Sequence, residues 1–193
     1  MARLTLASAT SPQWLTTALA HMDRVLVDHA HCEKKAAASA MSLVAGYPQH
    51  DTLVLQLSAL AVEEIQHFRA VFEKLRQRGL ALGRDPGDPY AQRLLGLARA
   101  MPRQARLMDR LLLFGLIEAR SRERLALLGE HLSDVELAHF YAQLAQAEAR
   151  HAGMFERLAH ELCGAEATEA RIPELCRAEA AIVAELPIEA RIH

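Results

Sequence analysis

Three Glu-x-x-His pairs are the groups in this chain whose residue types and spacing could bind a metal ion. They are Glu64/His67, Glu136/His139 and Glu148/His151. A glutamate and a histidine three positions apart lie on the same face of a helix, so one turn can offer both side chains to one ion. A single pair of this kind arises easily by chance. Its position on the helix therefore decides whether it can form part of a buried site.

The phase of the neighbouring apolar residues separates the three pairs. Steps of alternately four and three residues mark one face of a helix. Two such stripes are Leu53, Leu57, Leu60, Glu64, His67, Val71, Leu75 and Leu137, Tyr141, Leu144, Glu148, His151, Phe155, Leu158. Glu136 lies twelve residues before Glu148, and ~100° per residue turns it ~120° away from the stripe. We therefore predict that only Glu136/His139 faces solvent.

Two further glutamates interrupt apolar stripes without a histidine after them. Glu33 lies seven residues after Leu26, and Glu118 lies seven residues after Leu111. Each precedes the glutamate of a core-facing Glu-x-x-His pair by about 30 residues. The chain thus uses one pattern twice, a lone glutamate on one helix followed by Glu-x-x-His on the next.

Four carboxylates on core-facing stripes need a positive counter-charge. Burial of each ionised carboxylate costs several kcal/mol, and the four would also repel one another. Two divalent cations neutralise four carboxylates, and the imidazoles of His67 and His151 complete the donor set. Oxygen and nitrogen donors without a thiolate suit iron or manganese. The residues therefore predict a dinuclear metal site.

Long helices must position these residues. Turn-forming residues cluster near 46–48, 79–89, 101–102, 129–133 and 164–173, and the segments between them are rich in helix-forming Ala, Leu, Glu and Arg. The predicted helices span 12–45, 50–78, 89–100, 103–129, 134–162 and 173–186. Four long and two short segments are typical of an all-α antiparallel bundle with accessory helices. At 193 residues we expect one domain, with a bundle core at about 20–162 and an acidic helical C-terminal extension at 163–193.

The composition excludes several other classes of protein. Hydrophobic residues make up 51% of the chain and the net charge is −2, which is typical of a folded globular protein rather than a disordered one. The three cysteines form no Cys-x-x-Cys motif, which argues against a disulfide framework or a cysteine-bound iron or zinc domain. No apolar stretch approaches the ~18 residues of a membrane span. We expect a cytoplasmic protein with no membrane partner.

The six core-facing residues resemble the ligand set of the ferritin-like di-iron carboxylate superfamily. The resemblance covers about residues 20–162 and implies a ferritin-like four-helix bundle, with a long crossover between helices 2 and 3 and short accessory helices. It implies two bound iron ions, with Glu64 and Glu148 as bridging carboxylates and no catalytic residue beyond the ligands. The implied ligands are Glu33, Glu64, His67, Glu118, Glu148 and His151.

Within this superfamily, residues 28–37 (DHAHCEKKAA), together with Trp14 and Tyr47-Pro48, are similar to the bacterial tRNA 2-methylthio-N6-isopentenyladenosine hydroxylase family. This resemblance implies a monooxygenase that hydroxylates the isopentenyl side chain of the modified adenosine. The implied partners are tRNA, dioxygen and an external electron donor or reductase. The ligand set also fits a quinone hydroxylase, a peroxidase or an iron-storage ferroxidase, which stay as alternatives.

A basic stripe is the predicted means of holding RNA. Arg103, Arg106 and Arg110 share one helix face and would contact phosphates. Arg99 would extend the stripe if helical geometry continued across Met101-Pro102, with Arg120, Arg122 and Arg124 further along the same segment. A solvated face of an arginine-rich protein is the alternative.

Two apolar residues are predicted to line a dry pocket next to the metal site. Phe114 lies one turn before Glu118, and Leu144 lies one turn before Glu148. Core packing explains both residues equally well.

Three residues beside Glu33 complete the sequence-based expectations. His29 and His31 could support Glu33 from within one turn of α-helix, but we interpret each as a packed or solvated histidine, with support of Glu33 as the alternative. Cys32 points about 100° away from Glu33, so we assign it no metal role.

Overall fold

A computed structural model describes residues 3–193 of the chain. Over this range it contains helices and no β-strand, and none of these helices is long and apolar enough to cross a membrane. The helices are α1 (Pro12–Ala20), α2 (Met22–Gly46), α3 (Asp51–Gln77), α4 (Pro89–Leu95), α5 (Arg103–His131), α6 (Val135–Cys163) and α7 (Ala165–Glu185).

The chain divides into two compact units. One, the α2–α3 unit, consists of Thr16–Gly87 and Glu189–Ile192. The other, the α5–α6 unit, consists of Asp88–Ile188, the described residues before Thr16, and His193. Each unit therefore holds one of the two long helix pairs on which the repeated glutamate and histidine pattern lies.

The α2–α3 unit is a helix hairpin whose two long helices pack against each other. After Gly46 the chain turns at Tyr47, whose backbone N–H donates to the Leu43 carbonyl at 2.9 Å. The predicted stripe of α3 is its buried face: Leu53, Leu57, Leu60, Glu64, Val71 and Leu75 are all buried. The hydrophobic periodicity of α3 therefore predicted correctly which face it turns inward.

The α5–α6 unit is a second hairpin, covered by α4 and α7. Asp134 begins α6 as its N-cap, since its side chain accepts a hydrogen bond from the backbone N–H of Leu137 at 3.1 Å. Near this turn the helices approach closely, because a Cβ on Gly129 would lie 3.1 Å from the backbone nitrogen of Ala142.

A buried ion pair joins α5 to α7 in this unit. The Arg120 guanidinium and the Glu179 carboxylate are both fully buried, with their atoms 2.9 Å apart. Tyr90 of α4 donates its hydroxyl hydrogen to Glu179 at 3.0 Å, and Arg120 also contacts Glu123 and Thr10. Arg120 therefore cannot contribute to a surface stripe for RNA, which corrects the expectation from the sequence.

Three helix boundaries differ from those predicted by more than two residues. Helix α7 begins at Ala165 rather than at 173 and includes Pro173, because its buried residues Thr168 and Ile172 pack within the unit. Helix α4 ends at Leu95 instead of 100. A turn at His21 divides the predicted helix 12–45 into α1 and α2. No glycine or proline marks this turn, so the sequence pattern gave no sign of it.

Candidate metal-binding half-sites

The first group of candidate ligands lies within the α2–α3 unit. Helix α2 supplies Glu33, and α3 supplies Glu64 and His67; each offers a donor atom within 4.8 Å of the others. The Nδ1 atom of His67 lies 3.2 Å from a Glu64 oxygen and 3.8 Å from a Glu33 oxygen. Both carboxylates are buried, whereas the His67 side chain keeps 13% of its surface exposed. We call these three residues the α2–α3 half-site.

The charge on the two carboxylates controls the protonation of His67. Burial lowers the pKa of the His67 imidazole, but hydrogen bonds and Coulombic attraction from Glu33 and Glu64 outweigh it and raise this pKa to about 10. Without a metal ion, the imidazolium is therefore the counter-charge of the two carboxylates. A metal ion must displace this proton, because a histidine binds metals through its neutral imidazole.

His29 holds Glu33 in place from one turn earlier on α2. Its Nε2 atom lies 2.6 Å from a Glu33 carboxylate oxygen, and both side chains are buried. Of the two sequence-based interpretations of His29, this contact favours the alternative, support of Glu33, over a histidine that is merely packed or solvated. The spacing of four residues on one helix was the available signal, since it places the two side chains on one face.

His31 and Cys32, which flank the same stretch of α2, have other contacts. His31 Nε2 lies 3.1 Å from the Leu82 carbonyl oxygen, in the loop that follows α3. The Cys32 thiol lies 3.7 Å from a carboxylate oxygen of Asp28, one turn back on α2. His31 anchors a loop, and Cys32 packs against its own helix, in line with the prediction that it points away from Glu33.

The second group of candidate ligands lies within the α5–α6 unit and has the same composition. Helix α5 supplies Glu118, and α6 supplies Glu148 and His151; their donor atoms again lie within 4.8 Å of one another. His151 Nδ1 is 3.2 Å from a Glu148 oxygen, the same distance as between His67 and Glu64. All three side chains are buried. We call them the α5–α6 half-site.

The remaining Glu-x-x-His pair lies on the solvent side of α6. Glu136 and His139 are both exposed, and His139 contacts Gln143 on the same helix at 2.9 Å. The 120° rotation deduced from the helical repeat therefore distinguishes this pair from the buried pair twelve residues later.

The donor chemistry of each half-site fits a divalent metal ion. Two carboxylates and one imidazole offer only oxygen and nitrogen donors, which suit iron or manganese. Two carboxylates carry a charge that one divalent cation neutralises, which removes the main cost of their burial. Each half-site therefore has the composition expected of one half of a dinuclear centre.

Three of the four arginines of the predicted basic stripe lie together on the first turns of α5. Arg103 and Arg106 are exposed, and the Arg110 guanidinium lies 5.7 Å from the centre of the Phe114 ring. These three residues form what we call the α5 arginine stripe. Arg99 is not part of it, because it precedes α5 and its guanidinium binds the buried Asp109 at 2.7 and 2.8 Å.

Of the other two arginines of that segment, only Arg124 is tied to the α5–α6 unit by a side-chain contact within residues 3–193. Arg124 lies with its guanidinium 4.9 Å from the centre of the Trp14 ring. Burial and the nearby charge of Arg120 lower the pKa of Arg124 to about 10. Arg122 is exposed.

The two predicted pocket residues are buried on the stripes that carry Glu118 and Glu148. Phe114 is 7% and Leu144 is 6% exposed. The Phe114 ring packs against Phe155, with ring centres 5.8 Å apart. Both residues thus supply apolar surface within one turn of a candidate ligand, and their part in a substrate pocket stays a prediction.

Comparison with known proteins matches the chain over almost its full length. The family model described as tRNA-(MS[2]IO[6]A)-hydroxylase (MiaE) matches residues 2–193. The tRNA 2-(methylsulfanyl)-N(6)-isopentenyladenosine(37) hydroxylase of Pseudomonas putida is 41% identical over 185 residues, covering 95% of this chain and 89% of that protein. The protein of the same name from Salmonella typhimurium is 33% identical over 141 residues, which is 73% of this chain but only 51% of the relative.

A solved structure shares the fold. It is Protein 43 with aldehyde deformylating oxygenase activity from Synechococcus, which superimposes with a TM-score of 0.91 at 38% sequence identity. The match covers 97% of this chain and 94% of the other. The predicted all-α, ferritin-like fold class is thereby confirmed.

Proposed function

The chain belongs to the tRNA-(MS[2]IO[6]A)-hydroxylase family, and from this premise we propose that it hydroxylates the isopentenyl side chain of 2-methylthio-N6-isopentenyladenosine in tRNA. The observation that carries the proposal is the Glu, Glu, His donor set, present with buried carboxylates in both units of a chain that matches this family from residue 2 to residue 193. A cytoplasmic location follows from the substrate, because tRNA is modified where it is used.

We propose that the two half-sites supply the ligands of one di-iron centre. Four carboxylates balance the charge of two divalent ions, and one imidazole per half-site completes each donor set. Glu64 and Glu148, the glutamates that share a turn with a histidine, are proposed as the bridging ligands. When bound, the two iron ions supply the activation of dioxygen that oxidation of an unactivated C–H bond requires, with electrons from an external donor.

The protein's own residues hold these ligands and keep their surroundings dry. His29 fixes the orientation of Glu33 through a 2.6 Å hydrogen bond, a support of the kind that tunes ligand geometry and affinity. Phe114 and Leu144 are proposed to exclude water next to Glu118 and Glu148, because an apolar isopentenyl group needs an apolar lining. The ligands themselves need no further catalytic side chain.

The α5 arginine stripe is proposed to bind the tRNA backbone. Two of its three guanidiniums are exposed on consecutive turns of one helix, where they can pair with successive phosphates. Such contacts position the RNA without reading its sequence. Recognition of the modified adenosine would then depend on the shape of the apolar pocket.

The direct test is oxidation of tRNA from cells that lack the hydroxylase. The iron-loaded, reduced protein is incubated with dioxygen and this tRNA. The tRNA is then digested to nucleosides, and their masses are measured by mass spectrometry. A gain of one oxygen atom on the isopentenylated adenosine is the expected result. Glu136→Ala, which changes the exposed Glu-x-x-His pair, serves as the control variant with unchanged activity, whereas Glu148→Ala is expected to be inactive.

A second candidate function comes from the structural neighbour, whose name states aldehyde deformylating oxygenase activity at 38% identity. The same preparation is therefore also given a fatty aldehyde, a quinone analogue and hydrogen peroxide in separate reactions. Turnover of one of these without oxidation of tRNA would overturn the proposed substrate while leaving the metal-binding half-sites as argued.

A further inference from the structure

The solvent-facing side of α3 carries an unusual set of exposed aliphatic residues. Leu55 is 71%, Val62 is 57% and Ile65 is 51% exposed. They belong to a stripe whose members are separated by four, three, four, three and four residues, which places them on one helix face. The stripe, which we call the α3 seam, consists of Asp51, Leu55, Ser58, Val62, Ile65 and Arg69.

The seam lies opposite the buried face of α3, so it contributes nothing to the packing of the hairpin. The internal repeat offers a comparison, because aligning Glu64 with Glu148 matches each seam position to one on α6. At the positions matching the three large aliphatic residues of the seam, helix α6 has two polar residues and an alanine, all of them exposed: His139, Gln146 and Ala149. A helix carrying the same ligand motif therefore does not require large aliphatic residues on its outer face.

When the seam is read in the opposite direction, each of its residues falls opposite a residue with which it can pair. Reflection about residue 60 exchanges Asp51 with Arg69 and Leu55 with Ile65, and it also exchanges Ser58 with Val62. We propose that the α3 seam is an interface that packs antiparallel against the same seam of a second copy of this chain. A two-fold axis near residue 60 then places Asp51 beside Arg69 of the partner subunit and Leu55 beside Ile65 of the partner subunit, twice over.

The polar members of the seam suit this arrangement. Ser58 already donates its hydroxyl hydrogen to the Leu55 carbonyl at 3.1 Å, so burial of this side chain leaves no hydroxyl hydrogen without an acceptor. Its small size also lets a second helix come close. Within residues 3–193, neither Asp51 nor Arg69 has an ion-pair partner, and both are exposed. Asp51 and Arg69 can therefore each form an ion pair with an oppositely charged residue of another molecule.

A second copy fits the seam better than other occupants do. One acidic and one basic residue leave the seam without net charge, so neither an acidic nor a basic partner is favoured over the chain itself. Its centre is aliphatic, whereas RNA binding relies on cations and aromatic stacking. From residue 51 to residue 69 the seam is about 27 Å long at ~1.5 Å per residue. This is short for a permanent interface, so we expect a concentration-dependent dimer with a dissociation constant in the micromolar range.

The first test compares substitutions of exposed aliphatic residues on and off the seam. Sedimentation velocity and native mass spectrometry are measured from low to high micromolar chain concentration. Leu55→Asp and Ile65→Asp are each expected to raise the dimer dissociation constant at least ~100-fold, because a two-fold interface loses the side chain twice. Val135→Asp on α6, where the valine is 79% exposed, is the matched control and is expected to leave it unchanged. Circular dichroism confirms that every variant keeps its helical content.

The second test uses the two charged ends. Asp51→Arg or Arg69→Asp alone places like charges opposite each other and is expected to weaken the homodimer by roughly tenfold. An equimolar mixture of the two variants restores opposite charges at both ends, so a heterodimer of normal strength is expected. A chain that stays monomeric at high micromolar concentration would overturn the proposal. An unchanged dissociation constant in Ile65→Asp would also overturn it, and so would a mixture of the two charge variants that forms no heterodimer.

Discussion

Replacement of Glu148 by alanine, compared with the same replacement at Glu136, tests the assignment of the metal ligands most directly. Both glutamates lie on α6, and both precede a histidine by three residues. Glu148 is 2% exposed and lies beside Glu118 and His151, whereas Glu136 is exposed. The two variants therefore remove the same chemical group from the buried and the exposed face of one helix.

The expected magnitude follows from linkage between metal binding and folding. An ion present at 100 times its dissociation constant stabilises the folded state by about 2.7 kcal/mol. For a chain of this length each kcal/mol raises the melting temperature by ~2–4 °C. Binding of one ion is therefore expected to raise the melting temperature by about 5–11 °C. Loss of one of three donors, with the half-site charge falling from two carboxylates to one, is expected to reduce this gain below ~1 kcal/mol.

The assay is thermal unfolding with and without ferrous iron under anaerobic conditions, paired with metal analysis of the purified proteins. Wild type and Glu136→Ala are expected to bind two ions per chain and to show the full metal-dependent shift. Glu148→Ala is expected to lose most of the part of that shift that comes from the ion of the α5–α6 half-site. In the absence of metal it should be at least as stable as wild type, because removal of a buried carboxylate also removes the cost of its desolvation. Equal loss of metal binding in Glu136→Ala, or two tightly bound ions in Glu148→Ala, would refute the reasoning.

Four further outcomes are expected. His29→Ala should weaken metal binding by ~10–100-fold while two ions still bind at saturating metal, as followed by iron titration; unchanged affinity would show that the His29–Glu33 bond has no part in the site. Glu179→Gln should lower the free energy of unfolding by ~3–5 kcal/mol in urea, because the Arg120 guanidinium loses its buried partner. Charge reversal across the α5 arginine stripe should weaken tRNA binding and lower its salt dependence by roughly 0.7–0.9 per lost phosphate contact, with the iron spectrum unchanged. Iron titration should saturate at two ions per chain, and continued uptake would instead indicate storage.

The sequence alone determined the parts of this protein that depend on geometry within one helix. A residue's angle around its own helix axis follows from its number, so counting by four and three separated Glu148 from Glu136 and placed Glu33, Glu64 and Glu118 on buried faces. The helical content, the two hairpins and the donor set of each half-site were predictable for this reason. The same local rule places His29 on the face of Glu33, but it could not tell whether the two side chains form a hydrogen bond.

Tertiary structure decided what depends on packing between segments distant in the chain. The sequence offered Arg120 and Arg99 as surface charges, but Arg120 lies in the core opposite Glu179, 59 residues later, and Arg99 binds Asp109. The helical repeat cannot reveal such partners, because it fixes the direction of a side chain and not the element that it meets. Pro173 shows the same limit for helix boundaries: local propensity predicts a helix that begins there, whereas burial of Thr168 and Ile172 extends α7 back to Ala165.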